Sequence, residues 1–154
     1  MDIFRRFKFY WKAKTIFDIH SPFLYELLSN FFKNTSISTK TSFKVNRLIQ
    51  ILDYFVIESK EDLGVISNRP ILLVCRKVDH EILKLWEKKK LKGGLIIIGS
   101  GDYKNHQSIF ENYNFDCNLY FYDFSIGLKL EGYQGVIHNY LVRWFYKPWR
   151  LGFF

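Results

Sequence analysis

The sequence predicts an α/β fold in which N-terminal helices precede a mixed sheet. Two short, wholly apolar runs, 71–75 and 95–98, have the length and composition of strands that are covered on both faces. The segment between them, 79–92, has the spacing of a basic amphipathic helix. A strand, a helix and a strand within about thirty residues form a right-handed βαβ unit. These two strands are therefore predicted to be parallel.

The residues before the first of these strands are predicted to be helical. Residues 3–14 have helical spacing, with apolar side chains on one face and most basic ones on the other. Ser21 and Pro22 are typical of an N-cap and a first helical position, so a second helix is expected from there. After a polar loop, a third helix is predicted over 43–57, with Phe55 in its buried stripe.

The last third of the chain predicts one more helix and the strands that complete the sheet. Gly93 and Gly94 are expected to end the basic helix before the second apolar strand begins. Beyond that strand, we expect a helix over 105–113 and strands over 118–124, 126–130 and 136–145. These late strands are expected to be antiparallel and to close one edge of the sheet, and the very short connection between the first two favours a C-terminal hairpin.

Length and composition predict a single, basic domain. The 154 residues suit one domain, with 1–33 as a helical arm and 43–154 as the α/β core. A hydrophobic content of 48% excludes general disorder. The net charge of +8 is compatible with anionic partners, and solubility alone explains it equally well. Residues 1–14 lack the apolar region of a secretory signal, and no apolar run approaches the ~20 residues that cross a bilayer. We expect a cytoplasmic protein that can also lie at a membrane surface or in a larger assembly.

The cysteines do not predict a metal site. Cys75 and Cys117 form no CxxC motif, and no pair of histidines stands at helical spacing near them. Buried, reduced thiols in a cytosolic protein are the expected state. We therefore predict no metal.

A glycine-rich turn suggests a cofactor site. Gly99, Ser100 and Gly101 follow a buried strand and precede a helix, which resembles the phosphate or cofactor loop of Rossmann-like domains. Asp123, at the end of a later strand, is placed like the acid that binds a ribose. Only about thirty residues follow Asp123, however, which is too few for the further βαβ units of a nucleotide-binding half.

Both ends of the chain combine aromatic with basic residues. Such segments suit the lipid interface or stacked bases, so RNA and an anionic membrane surface are both candidate partners. Packing of the two termini on each other, or binding in the groove of a protein partner, is the more common explanation of such segments. The candidate anion- or partner-binding residues are Arg5, Arg6, Lys8, Lys12, Arg143, Lys147 and Arg150. The lysine-rich face of 84–92 is typical of a solvated surface, with nucleic-acid binding as its alternative.

Several strings of the chain carry a family resemblance. They lie at 10–15, 18–28 (which includes HSPF at 20–23), 46–55, 79–80, 93–98, 122–128 and 138–143. Together they resemble the class I S-adenosylmethionine-dependent methyltransferase family of Bacteroidetes-type bacteria. The resemblance covers most of the chain in pieces and implies a Rossmann-like, methyltransferase-like sheet.

The chain departs from that family where the cofactor and catalytic groups are expected. DLG at 62–64 is similar to the family's acidic, glycine-rich loop, but Lys60 and Glu61 precede it where an apolar strand is expected. Lys77 replaces an expected acid, and Gly99 and Ser100 replace an acidic pair. The resemblance therefore implies a shortened domain that lacks the cofactor-binding half.

From these departures we expect a non-catalytic, basic interaction protein with no cofactor and no catalytic residue. A sheet without its first strands leaves the apolar edge of 71–75 uncovered. Either the N-terminal helices fold across this edge, or a protein partner or a second copy of the chain pairs with it. One alternative is an S-adenosylmethionine-dependent methyltransferase that binds its cofactor through Gly99, Ser100, Gly101 and Asp123. A second alternative is a peripheral membrane protein that is attached through the aromatic-basic termini.

Overall fold

The computed structural model of the chain describes residues 3–13, 21–33, 35–36, 38–57, 70–130 and 137–143, without the side chain of Tyr10. Over these residues the helices are α1 (Ile3–Lys12), α2 (Pro22–Lys33), α3 (Thr41–Leu52), α4 (His80–Lys89) and α5 (Tyr103–Asn112). The strands are β1 (Phe55–Ile57), β2 (Ile71–Cys75), β3 (Gly93–Ile98), β4 (Cys117–Tyr120), β5 (Phe124–Lys129) and β6 (His138–Leu141). The predicted α/β fold is confirmed.

The described strands form one mixed sheet in the order β1-β2-β3-β5-β4-β6. β1, β2 and β3 are parallel, as predicted for the last two, and β5 pairs antiparallel with both β3 and β4. The predicted C-terminal hairpin is therefore β4 and β5. The prediction that every late strand is antiparallel was wrong for β6, which pairs parallel with β4. Because all these strands except β5 run the same way, their carboxyl ends share one edge of the sheet.

The third predicted helix is shorter than expected, and its last residues form a strand. α3 ends at Leu52 because Asp53 takes a left-handed conformation (φ 51°) and donates its N–H to the carbonyl of Ile49. The next residues form β1, which pairs with β2 in register from Phe55↔Ile71 to Ile57↔Leu73. Phe55 is consequently 44% exposed rather than buried in a helical stripe.

The pairing of β1 with β2 also corrects the expected uncovered edge. β1 adds a third strand to the predicted parallel pair of β2 and β3. The edge of β2 is therefore hydrogen-bonded along Ile71 to Leu73. The described residues at the outer edges of the sheet are β1 and β6, of three and four residues. The specific reason for a partner on the edge of 71–75 is thereby removed.

The basic helix is ended by a lysine rather than by the glycine pair. Asp79 is its N-cap, and its carboxylate accepts a hydrogen bond from the N–H of Glu81 at 2.9 Å. Lys90, in a left-handed conformation (φ 52°), ends the helix. Gly93 and Gly94 instead begin β3, where the backbone of Gly93 lies against that of Ile71.

Helices cover both faces of the sheet. α2 and α3 bury Leu28 and Leu48 against one face, and α4 and α5 bury Trp86 and Phe110 against the other. Successive side chains of a strand point to opposite faces of the sheet, so each strand contributes to both hydrophobic layers. Leu72 faces α2 and α3, whereas the adjacent Ile71 and Leu73 face α4 and α5. The three-layer arrangement follows from the period-2 burial of strands whose two faces are both apolar.

α1 packs on the body through a different side from its main apolar stripe. Phe9 and Ala13 are buried with Tyr122 in a small separate cluster. The residues with the large exposed side chains are Ile3 (76%), Phe4 (85%), Phe7 (63%) and Trp11 (80%). None of the helices in the described ranges is long and apolar enough to cross a membrane.

Candidate functional site

The glycine-rich turn and Asp123 lie together at the carboxyl edge of the sheet. The N–H of Gly99 donates to the carbonyl of Asp123 at 3.0 Å, and the N–H of Gly101 donates to the carbonyl of Tyr122 at 2.8 Å. Gly101 has φ +73°, a conformation that favours glycine, and Ser100 is exposed on the turn. These bonds fasten the turn to the connection between β4 and β5.

The carboxylate of Asp123 is held by α3. Its Oδ2 accepts hydrogen bonds from Lys44 Nζ at 2.9 Å and from Thr41 Oγ1 at 2.7 Å. The side chains of Lys44 and Asp123 are only 4% and 17% exposed. Because Thr41 and Lys44 stand three residues apart on α3, one helical face delivers both donors to the same oxygen. The result is a largely buried ion pair between the helical layer and the turn before β5.

Several groups that a loop would offer to a nucleoside cofactor such as S-adenosylmethionine are engaged within the protein at this turn. A cofactor loop offers its backbone N–H groups to the ligand, and its acid accepts hydrogen bonds from ribose hydroxyls. Here the N–H groups of Gly99 and Gly101 are used by backbone carbonyls, and Asp123 Oδ2 is used by Lys44 and Thr41. Arg5 also lies over the turn, with its Cδ 3.0 Å from the position of a Cβ on Gly101.

A buried imidazole lies beneath the same turn. His106 Nδ1 is 2.7 Å from Ser125 Oγ, and the two residues are 5% and 0% exposed. A Cβ on Gly99 would stand 3.4 Å from His106 Nε2 and 3.2 Å from Asp102 Oδ2. An acid, an imidazole and a hydroxyl therefore surround Gly99, but the hydroxyl of Ser125 is too deeply buried to meet a substrate. This cluster supports the turn.

Burial of His106 predicts a loss of stability in weak acid. Desolvation lowers the pKa of His106 below its ordinary value of 6.5, and the carboxylate of Asp102 offsets part of this effect. As the pH falls below about 6.5, the unfolded chain binds the proton before the folded chain does, so stability is lost through the folded-state pKa. We expect urea midpoints to fall between pH 7.5 and 5.5, and to fall less for His106→Gln. Equal pH dependence in the two proteins would assign the effect to other groups.

The predicted basic residues have separate roles in the structure. The guanidinium of Arg6 lies 5.3 Å from the centre of the Tyr122 ring, and Arg143 Nε donates to the carbonyl of Ala13 at 3.3 Å. Both contacts hold α1 against the body. Lys8 and Lys12 are exposed on α1. Lys147 and Arg150 lie outside the described residues.

His80 and Cys75 do not belong to the cluster around Gly99. His80 Nδ1 is 2.7 Å from Tyr113 Oη. Burial raises the pKa of the Cys75 thiol to about 11, so this cysteine is a poor nucleophile. Within the ranges that the structure describes, no three His, Cys, Asp or Glu side chains are grouped so as to hold a metal ion. His20 and 62–64 lie outside those ranges.

Sequence reasoning missed the residues that organise this region. Lys44 was not singled out, although Thr41, Lys44 and Leu48 follow the 3, 4, 7 spacing of one helical face. A lysine on a face that also carries Leu48 indicates a buried acidic partner, and this was the available signal. The partner lies 79 residues away along the chain, so its identity could not be read from spacing.

No protein-family model, no curated protein and no solved structure matches this chain. The resemblance to methyltransferases therefore stays a prediction from the sequence strings alone.

Proposed function

We propose that this protein is non-catalytic and binds an anionic membrane surface through α1. The observation that carries the proposal is the outward face of that helix. Ile3, Phe7 and Trp11 are 76%, 63% and 80% exposed, on a helix with four basic and no acidic residues. An amphipathic helix with aromatic residues on one face and cations beside them is the kind that lies in the plane of a lipid interface.

The orientation of α1 suits such binding. At about 100° per residue, Phe9 points opposite to the stripe of Ile3, Phe7 and Trp11. The Phe9 ring packs against Tyr103 and Tyr122, with centroids 5.6 Å and 5.8 Å away. The helix is thus held on the body by one side and presents the other outward. A membrane can meet the outward side without any rearrangement of the core.

The composition of the outward face favours lipid over other anionic partners. Phe7 and Trp11 stack on each other at 6.0 Å, and the aliphatic Ile3 extends the same stripe. A single-strand binder offers aromatic faces to separate bases along a charged groove. A continuous apolar stripe on a helix that carries basic and no acidic residues instead suits acyl chains below anionic headgroups. The engaged carboxylate of Asp123 supports the non-catalytic part of the proposal.

Removing the aromatic stripe should weaken vesicle binding. The double variant Phe7→Ser/Trp11→Ser is expected to bind vesicles of mixed phosphatidylcholine and phosphatidylglycerol at least about tenfold more weakly. Each buried aromatic side chain contributes about 1.5–3 kcal/mol, and 1.4 kcal/mol corresponds to tenfold. Flotation at increasing lipid concentration measures the affinity. Wild-type binding should also weaken with salt and be slight on pure phosphatidylcholine.

The matched control is Phe43→Ser. Phe43 is an aromatic residue on α3 that is 62% exposed, so its loss tests whether any exposed ring suffices. Equal binding by wild type and the α1 double variant would contradict the proposal. Salt-sensitive binding of single-stranded RNA that the α1 double variant loses, without vesicle binding by wild type, would replace the membrane with nucleic acid as the partner.

A further inference from the structure

A cavity lies on the inner side of α1. It has a volume of about 290 Å³ and separates α1 from the turn that leads from β3 into α5. α1 contributes Arg5 and Lys8 to its lining, and the turn and the start of α5 contribute Asp102 and Lys104. The cavity therefore separates two elements that are distant in sequence and places cations on both sides.

The lining of this cavity is cationic. Arg5, Lys8 and Lys104 carry three positive charges, and Asp102 carries one negative charge. Within the part of the chain that the structure describes, the ammonium groups of Lys8 and Lys104 make no ion pair. Cations that line the same cavity repel each other, whereas an anion bound between them attracts each of them. The cavity is thus suited electrostatically to a small ligand with more than one negative charge.

The shape and the aromatic residues restrict the ligand further. Gly101 has no side chain, so the stem of Arg5 can lie over the turn, with Nη1 3.6 Å from the position of a Cβ on Gly101. A guanidinium and two ammonium groups match the oxygen atoms of a phosphate, which an arginine can bind through two N–H donors. The volume exceeds what one phosphate group fills, and Phe9 and Tyr103 give it an apolar wall for the attached organic part.

We propose that this cavity binds a phosphate monoester group. A monoester carries about −1.5 to −2 charge at pH 7, which suits a lining of three cations and one acid better than the single charge of a diester. The group can belong to a soluble phosphomonoester or to the headgroup of phosphatidic acid. The lipid source rests on the proposed function of α1, whereas the soluble source does not. In both cases the ligand bridges Arg5 and Lys8 of α1 to Lys104 of α5.

The soluble arm of the test measures thermal stability with inorganic phosphate. Phosphate at about five times its dissociation constant is expected to raise Tm by about 2–4 °C relative to chloride at equal ionic strength. Lys104→Gln should lose most of this shift. Lys84→Gln is the matched control, because Lys84 is an exposed lysine on α4 that does not line the cavity. An equal shift in wild type and both variants would overturn the phosphate site.

The lipid arm compares phosphatidic acid with phosphatidylglycerol in vesicles of matched surface charge. Wild type is expected to bind the phosphatidic acid vesicles at least about fivefold more tightly, and Lys104→Gln should lose this preference while it still binds phosphatidylglycerol. A phosphate shift in solution without a lipid preference assigns the site to a soluble monoester. Loss of vesicle binding in Phe7→Ser/Trp11→Ser with the phosphate shift retained separates the two proposals, since only the membrane face is then affected.

Discussion

Asp123→Asn is expected to lower the free energy of unfolding by about 3 kcal/mol. The change keeps the shape of the side chain but removes the charge that Lys44 Nζ contacts at 2.9 Å. Lys44 is 4% exposed, so its ammonium group would stay in the interior without the carboxylate that it contacts in the wild type. Removing one partner of a buried pair typically costs 3–5 kcal/mol, and the partial exposure of Asp123 places this pair at the low end. Urea unfolding followed by circular dichroism measures the difference.

The double variant Lys44→Met/Asp123→Asn distinguishes an ion pair from a general loss of packing. Methionine fills the space of the lysine stem without a charge, so the double variant should recover at least half of the stability that the single variant loses. Thr41 keeps a hydrogen-bond acceptor at position 123 in both proteins. The single variant Lys44→Met completes the comparison. If the loss of stability in the double variant equals the sum of the losses in the two single variants, the interaction between Lys44 and Asp123 is not the source of the effect.

The strands show how much of the fold could be predicted from the sequence. The apolar runs at 71–75 and 95–98 predicted β2 and β3 because strands buried on both faces have an unambiguous composition. β1 was missed because Phe55 continues the helical spacing of α3 and three residues are too few to show alternation. The left-handed conformation of Asp53, which ends that helix, has no clear sequence signal, since glycine or asparagine is usual there.

The candidate site could be predicted only in part, because some of its contacts depend on tertiary packing. Local patterns placed Gly99 and Gly101 on a turn after a strand, and the structure brings Asp123 beside them. What occupies the carboxylate depends on Lys44, which reaches it through the tertiary arrangement of α3 rather than through spacing. The exposed stripe of α1 was recognised as aromatic and basic. Its direction, however, is set by the packing of Phe9 on Tyr122, a contact between residues that are far apart in the sequence.

Gly93→Ala is expected to prevent folding, with a loss of more than about 5 kcal/mol. Gly93 opens β3 with φ +133°, a conformation that other residues rarely adopt. A Cβ at this position would stand 1.8 Å from the carbonyl oxygen of Ile71 and 2.6 Å from its nitrogen. Both atoms belong to the backbone of β2, so the clash cannot be relieved by a side-chain rotation. The strands would have to separate where the parallel part of the sheet begins, and the soluble yield and far-ultraviolet circular dichroism should fall together.

Alanine substitutions at two other glycines should give smaller losses of stability than Gly93→Ala. At Gly127 a Cβ would stand 2.7 Å from the Phe110 ring, which can shift only by disturbing the core, so an intermediate loss of about 2–3 kcal/mol is expected. At Gly99 the nearest atom is the side-chain oxygen of Asp102 at 3.2 Å, and the loss should stay below about 1 kcal/mol. A stable, soluble Gly93→Ala protein, or a larger loss at Gly99 than at Gly127, would show that backbone approach between β2 and β3 does not limit the fold. The expected order instead makes Gly93 a requirement of strand pairing, which is a different role from the helix stop that its sequence position predicted.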